Sequence, residues 1–271
     1  MNLVCIITAL PAESRVFIDA LRLRHVQDCG WRFYAGDHYR LLQTGLGKLK
    51  AAAATSTLLH SQPDISAVIN VGVAGGTQPT GTCLQAHKIT DEGTGTSWYP
   101  HLPPKRLTPD LQSTEVLTLD RISDQYRTDT VFDMEAAGVM SAATAYLSTD
   151  AIQCVKVISD NPDSSVQSFS KQVAIEHMQR TVPPVLEMLR WYEQMENSSA
   201  RQSEISSLAR QITVEVRHTM SESHQLTRLL HRYNSLTNNK LDVQQLQTLK
   251  SATAVRQYLE QQLSDVPLTY E

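Results

Sequence analysis

SAVINVGVAGG, residues 66–76, is the stretch that decides how this 271-residue sequence folds. SAVINV has no charge and is rich in β-branched residues, so it reads as a strand buried on both faces, ended by the glycines of GVAGG. Upstream, TGLGKLKAAAATSTLLH (44–60) is a glycine turn running into an alanine-rich helix. Before it, WRFYAGDHYRLLQ (31–43) reads as two strands joined at Gly36-Asp37, a hairpin signal. Residues 2–9 form a further buried strand, and Pro11 opens the helix that follows. Downstream, strands are expected near 84–90, 114–119 and 152–158, with helices over about 134–147 and 168–195. The fold class is therefore α/β, with a mixed, largely parallel central sheet flanked by helices. The hairpin is what makes the sheet mixed.

Composition narrows the function. Apolar residues make up 41%, charged residues 19%, and the formal net charge is -4, so no basic field favours nucleic acid or an anionic membrane. Cys5, Cys29, Cys83 and Cys154 show no CxxC spacing, and the nine histidines show no metal-ligand spacing. We expect no metal, no cofactor and a reducing, cytoplasmic setting. The opening MNLVCIITALPAE lacks a basic leader and meets Glu13 early, so it reads as a first strand rather than a secretion signal. No apolar run is long enough to span a bilayer.

Composition changes near residue 197. Asn197-Ser198-Ser199 is a plausible linker, and no glycine follows it. Ile205, Leu208, Ile212 and Val216 recur at helical spacing, as do Leu226, Leu229, Leu230, Tyr233 and Leu236, then Leu246, Leu249, Val255, Leu259 and Leu263. Two domains are expected: 1–196, carrying the sheet, and 197–271, a helical appendage that packs or self-associates.

In an open α/β sheet the ligand sits beyond the carboxyl ends of the strands. Glu13 follows the first strand, the glycines follow the central one, Asp133-Met134-Glu135 follow a short one, and Asp160 follows 152–158. Three carboxylates, Glu13, Glu135 and Asp160, around a glycine-lined crevice suit acid–base work on an uncharged substrate.

The ordered set IITALPAE, TGLGKLKAAAAT, NVGVAGG, FDMEAAG and VKVISDNPD resembles the methylthioadenosine/adenosylhomocysteine nucleosidases and the related hexameric-type purine and uridine phosphorylases. The resemblance covers roughly residues 1–195. It implies hydrolysis of the N-glycosidic bond of a purine nucleoside, with adenine the expected base and 5′-thio substitution a further possibility. It also implies a homodimer or higher homo-oligomer, since such enzymes complete their pockets across an interface.

Residue by residue, the resemblance makes Asp160 the general acid that protonates the purine N7; as a bare sequence feature it also reads as a helix cap before Pro162. Glu135 would grip the ribose 2′ and 3′ hydroxyls with Met134 packed on the sugar, where the alternative is a first-turn glutamate answering the helix dipole. Glu13 would activate water, or be an exposed early-helix glutamate. Lys156 would orient that water and steady Asp160, or be an exposed strand residue. Asp133, Val73 and Gly75 would complete the substrate wall, and Ile122, in the strand VLTLDRI (116–122), would lie near the base. Gly45-Leu46-Gly47-Lys48 is not a phosphate loop, because Leu49 stands where Ser or Thr is needed; it reads as a turn into a helix, lining the sugar pocket.

The sequence departs from the pattern in three places. Asn70 replaces a phosphate-holding arginine, which favours water as nucleophile. Val73 replaces a serine, and the stretch between Gly76 and Asp133 is shorter than usual. Phosphorolysis stays open, as does a nucleoside-sensing module that signals through the helical appendage.

Overall fold

The computed structural model describes residues 3–28, 30–164, 170–195 and 251–264, with isolated positions 226, 229, 230, 233, 246 and 249. The chain divides into two compact units, Met1–Glu193 and Gln194–Glu271.

The first unit begins β1 (Leu3–Thr8), α1 (Pro11–Leu21), β2 (Arg24–Asp28), β3 (Trp31–Ala35) and β4 (Tyr39–Gln43). It continues α2 (Lys48–Ser61), β5 (Ile65–Gly75), β6 (Cys83–Asp91), β7 (Ser97–Trp98), β8 (Gln112–Thr118) and β9 (Thr130–Asp133). Then come α3 (Ala136–Ala143), β10 (Ile152–Asp160), α4 (Lys171–Gln179) and α5, helical over 182–195.

β5 is the hub. Along one edge it pairs in parallel with β10, from Val68 to Gly75. Along the other it pairs in parallel with β1, and at its last residue it meets β9 antiparallel, Gly75 against Phe132. β10 passes to β6 antiparallel, and β6 to β8 and β8 to β9 in parallel. Strands β5, β10, β6, β8 and β9 thus close a circuit, while β1, β4, β3 and β2 extend from β5 as an open sheet. The mixed α/β fold follows the sequence expectation.

Each face of the sheet has its own core. On one, Ala51, Ala54 and Leu58 of α2 meet Ala136, Val139 and Met140 of α3. Alanine and glycine let these helices approach closely: a Cβ on Gly138 would stand 2.1 Å from the Lys48 carbonyl oxygen. On the other face, Val16 and Phe17 of α1 pack with Met178 of α4 and with Val185, Met188 and Leu189 of α5.

Several boundaries differ from the sequence expectations. The central strand expected to end where the glycines begin runs on through Gly72 and ends only at Gly75, because β10 continues the ladder alongside it. The strand expected over 116–122 stops at Thr118, where its partner β9 runs out at Asp133. The single helix expected over 168–195 is two, because Pro183 and Pro184 start a new one, a position where proline's missing N–H is no loss. The helix expected over 134–147 spans Ala136–Ala143. β2 and β7 had no clear alternation to announce them.

In the second unit Leu226, Leu230, Tyr233, Leu246, Val255, Leu259 and Leu263 form one buried cluster. The last three lie on α6 (Ala252–Ser264). The stripe from Ile205 to Val216, and Leu236, lie outside the described residues. No helix among the described residues is long and apolar enough to cross a membrane.

Candidate active site

Chain geometry brings the carboxyl ends of β1, β5, β9 and β10 to one side, as the pairing of Asp160 with Gly75 and of Gly75 with Phe132 requires. There a cavity of about 170 Å³ is walled by Val73, Gly75, Phe132, Asp133, Met134, Glu135 and Asp160, with Leu46, Arg121 and Ile122 also lining it. Ile122 is 66% exposed. A larger cavity of about 660 Å³, lined by Asp110, Arg180, Glu187 and Arg190, lies elsewhere on this unit. None of its acids is buried and Glu187 is paired with Arg190, so it lacks the buried carboxylates that line the smaller one.

Asp160 ends β10 with both carboxylate oxygens engaged. Ser159 Oγ donates to Oδ1, and Tyr126 Oη donates to Oδ2 at 2.6 Å. It is therefore no helix cap. A Cβ on Gly75 would stand 2.7 Å from Asp160 Oδ2, so this position takes glycine to let the carboxylate lie against the strand.

Glu135 leaves the start of α3 and accepts a hydrogen bond from the Gly47 N–H at 2.7 Å. Capping of that helix falls to others: Asp133 Oδ2 accepts from Ala136 N at 2.7 Å, and Thr118 Oγ1 from Ala137 N at 3.0 Å. The glycine turn at 45–47 therefore serves the cavity, with Leu46 on its wall and Gly47 against Glu135.

Glu13 is 2% exposed, not an exposed helix residue. Its Oε2 accepts from Ala9 N and Leu10 N, both at 2.8 Å, and its Oε1 from Val73 N at 3.0 Å. The bond to Leu10 is the return half of a capping box. Glu13 stands behind Leu10 and Val73 rather than on the cavity wall. A carboxylate has about four acceptor sites, so Oε1 retains capacity for one further donor.

Lys156 is 1% exposed in a strand buried at every position. Its ammonium sits 2.8 Å from Asp133 Oδ2. Asp133 also accepts from Thr118 Oγ1 at 2.6 Å. Asp133 and Lys156 were expected at the substrate, yet their charges are committed to each other, and Lys156 is off the cavity wall. Among the described residues no group of three His, Cys, Asp or Glu side chains is arranged to hold a metal.

Electrostatics follow from burial. Burial raises the Glu13 pKa against the pull of its backbone donors and Lys156. Burial, then the nearby Asp133 charge, raises that of Glu135 to about 7. For Lys156 burial is the largest single influence and lowers the pKa, but Asp133, Cys154 and Glu135 together outweigh it and the pKa is raised, so the ammonium stays charged. An acid raised in the folded state binds protons more tightly than in the unfolded chain. For Glu135 that stabilisation is complete below its ordinary 4.5 and is lost as pH rises through about 7. Melting temperature should therefore fall between those two values, and Glu135→Gln should flatten the fall. A scanning-calorimetry pH series in which the variant kept the full slope would remove Glu135 as its source.

Sequence reasoning missed three contributors: Thr118, Tyr126 and Ser159. Only Ser159 carried a local signal, by standing next to Asp160. Tyr126 comes from an irregular stretch whose place in space only the strand pairing reveals.

No family model matches the chain. Solved structures with the same fold include a 5′-methylthioadenosine/S-adenosylhomocysteine nucleosidase of Neisseria meningitidis in complex with methylthio-immucillin-A. It is 16% identical at a TM-score of 0.59, over 69% of this chain and 100% of that one. The corresponding nucleosidase of S. pneumoniae, with the transition-state inhibitor MT-ImmA, is 18% identical at a TM-score of 0.58, over 70% and 98%. Futalosine hydrolase of Helicobacter pylori is 13% identical at 0.61, over 70% and 97%. The first unit thus has the nucleosidase fold.

Proposed function

We propose that the protein is an N-glycosidase that hydrolyses a purine nucleoside, with adenine the favoured base. The observation that carries this reading is the placing of Asp160 and Glu135 on the walls of one cavity, with buried Glu13 beside it. In this reading water attacks the anomeric carbon and gives its proton to Glu13. The carbon–nitrogen bond breaks toward the base, and Asp160 delivers a proton to N7 so that the base leaves neutral. Glu135, as a carboxylate, accepts the ribose hydroxyls, and its charge favours the cationic sugar of the transition state. Lys156 acts through Asp133, holding the start of α3 and thereby Glu135 in position. The folds that resemble this one belong to proteins named for methylthioadenosine and adenosylhomocysteine or for futalosine, so a 5′-extended nucleoside is the substrate class to try first. We further propose a homodimer or higher homo-oligomer acting in the cytoplasm on a small molecule, without nucleic acid or membrane.

Water is favoured over phosphate because Asn70 is buried and tied across the sheet. Its Nδ2 donates to the Ile7 carbonyl at 3.2 Å and its Oδ1 accepts from the Cys154 thiol. It presents no cation. Base release is therefore expected in phosphate-free buffer, with free sugar as co-product, when a nucleoside panel is followed by chromatography. Phosphorolysis keeps one favourable observation, Arg121 on the cavity wall. A strict phosphate requirement with a sugar 1-phosphate product would establish it, whereas tight binding without turnover would mark a sensor.

A further inference from the structure

The Asp160 oxygen that faces Tyr126 already accepts a hydrogen bond, so a purine reaching it competes with the phenol. Tyr126 Oη lies 2.6 Å from Asp160 Oδ2, and a Cβ on Gly75 would find Tyr126 Cε1 at 3.0 Å and Asp160 Oδ2 at 2.7 Å. The ring lies at 12° to that of Phe132, with centroids 6.4 Å apart, and Phe132 lines the cavity. An aromatic ring hydrogen-bonded to Asp160 and near-parallel to a wall phenyl is the set of contacts a leaving base would need. The cavity beside them, about 170 Å³, is smaller than the roughly 300–1,000 Å³ usual for small-molecule sites.

Tyr126 also has room to leave. It is half-buried, in the irregular stretch 119–129 between β8 and β9. That stretch is tied by Leu119 N to Asp133 O, by the bridge of Arg127 with Thr130, by the Asp129 carbonyl's bonds from Glu115 N and Thr114 Oγ1, and by the pairing of Asp120 with Lys48; none of these ties involves Tyr126 itself.

We infer that Tyr126 is an internal stand-in for the base: its phenol holds Asp160 beside Gly75 and Phe132 of the cavity wall, and the substrate's purine displaces it. This rests on the glycosidase reading and adds a residue that sets the affinity for the base. A ligand that binds only the open form has its apparent affinity reduced by the fraction of molecules that are open. The hydroxyl's bond to a carboxylate holds the closed form, and bonds to charged groups are the stronger class.

The test is calorimetric titration of adenine into the full-length protein, wild type and Tyr126→Phe, with turnover of the best nucleoside measured in parallel. Phenylalanine keeps the ring and removes only the latch. Adenine should bind on the order of 10-fold more tightly to the variant, and KM should fall with little loss of kcat. Unchanged or weaker adenine binding to the variant, with wild type binding normally, would overturn the stand-in role and leave the glycosidase reading intact. A kcat loss without tighter binding would make Tyr126 a positioning residue for Asp160 instead. If neither folded protein binds adenine or releases base, the glycosidase reading fails and this inference falls with it.

Discussion

Asp160→Asn is expected to reduce base release by at least about 10²-fold, the lower end of what a positioned general acid contributes. Asparagine keeps the shape that Gly75 leaves open and can still meet Ser159 and Tyr126. What it lacks is a proton to deliver, so fold and nucleoside binding should change far less than turnover. Steady-state kinetics beside a binding titration separates the two. Near-normal turnover would reduce Asp160 to the residue that ends β10, and the proposed reaction would lose its acid.

Lys156→Met should have the largest effect on stability. It removes one member of an ion pair whose side chains are 1% and 0% exposed. Breaking such a pair from one side costs about 3–5 kcal/mol, because the remaining charge stays buried. Against the roughly 5–15 kcal/mol of a typical domain this is a large fraction. Urea denaturation should therefore show a much earlier midpoint for the variant. Adding Asp133→Asn should recover part of the loss by removing the stranded charge, although Asp133 also holds the start of α3. If Lys156→Met alone is neutral, the pair supports nothing and Lys156 has no part in placing Glu135.

What could be read in advance was whatever leaves a local mark. The buried strands at 66–71 and 152–158, the Gly36-Asp37 hairpin and the alanine-rich helix all declare themselves through composition or period. The carboxylates could be located because they follow strands. Their surroundings could not, since hydrogen-bond partners come from distant segments: Gly47 lies 88 residues from Glu135, and Tyr126 34 from Asp160. Lys156 shows the limit most plainly. A lysine in a strand reads equally as exposed or buried until its counter-charge Asp133 is placed beside it. The glycine run misled for a related reason: a long strand ends where its neighbour stops pairing, and β10 was still pairing at Gly75.

The crossing of α2 and α3 at Gly138, where no side chain separates the helices, gives the cavity two thermodynamically different halves. Lys48 at the crossing adjoins Gly47, and Gly47 holds Glu135, so the side proposed to take the sugar is immobilised when the chain folds. Little ordering entropy remains to be lost there when a ligand arrives. The side proposed to take the base includes 119–129, which rearranges as the ring is captured if Tyr126 gives way as inferred above. The heat and entropy of binding should therefore divide along the glycosidic bond: a sugar fragment should bind with a small entropic penalty, and the unfavourable entropy of the whole nucleoside should come from its base.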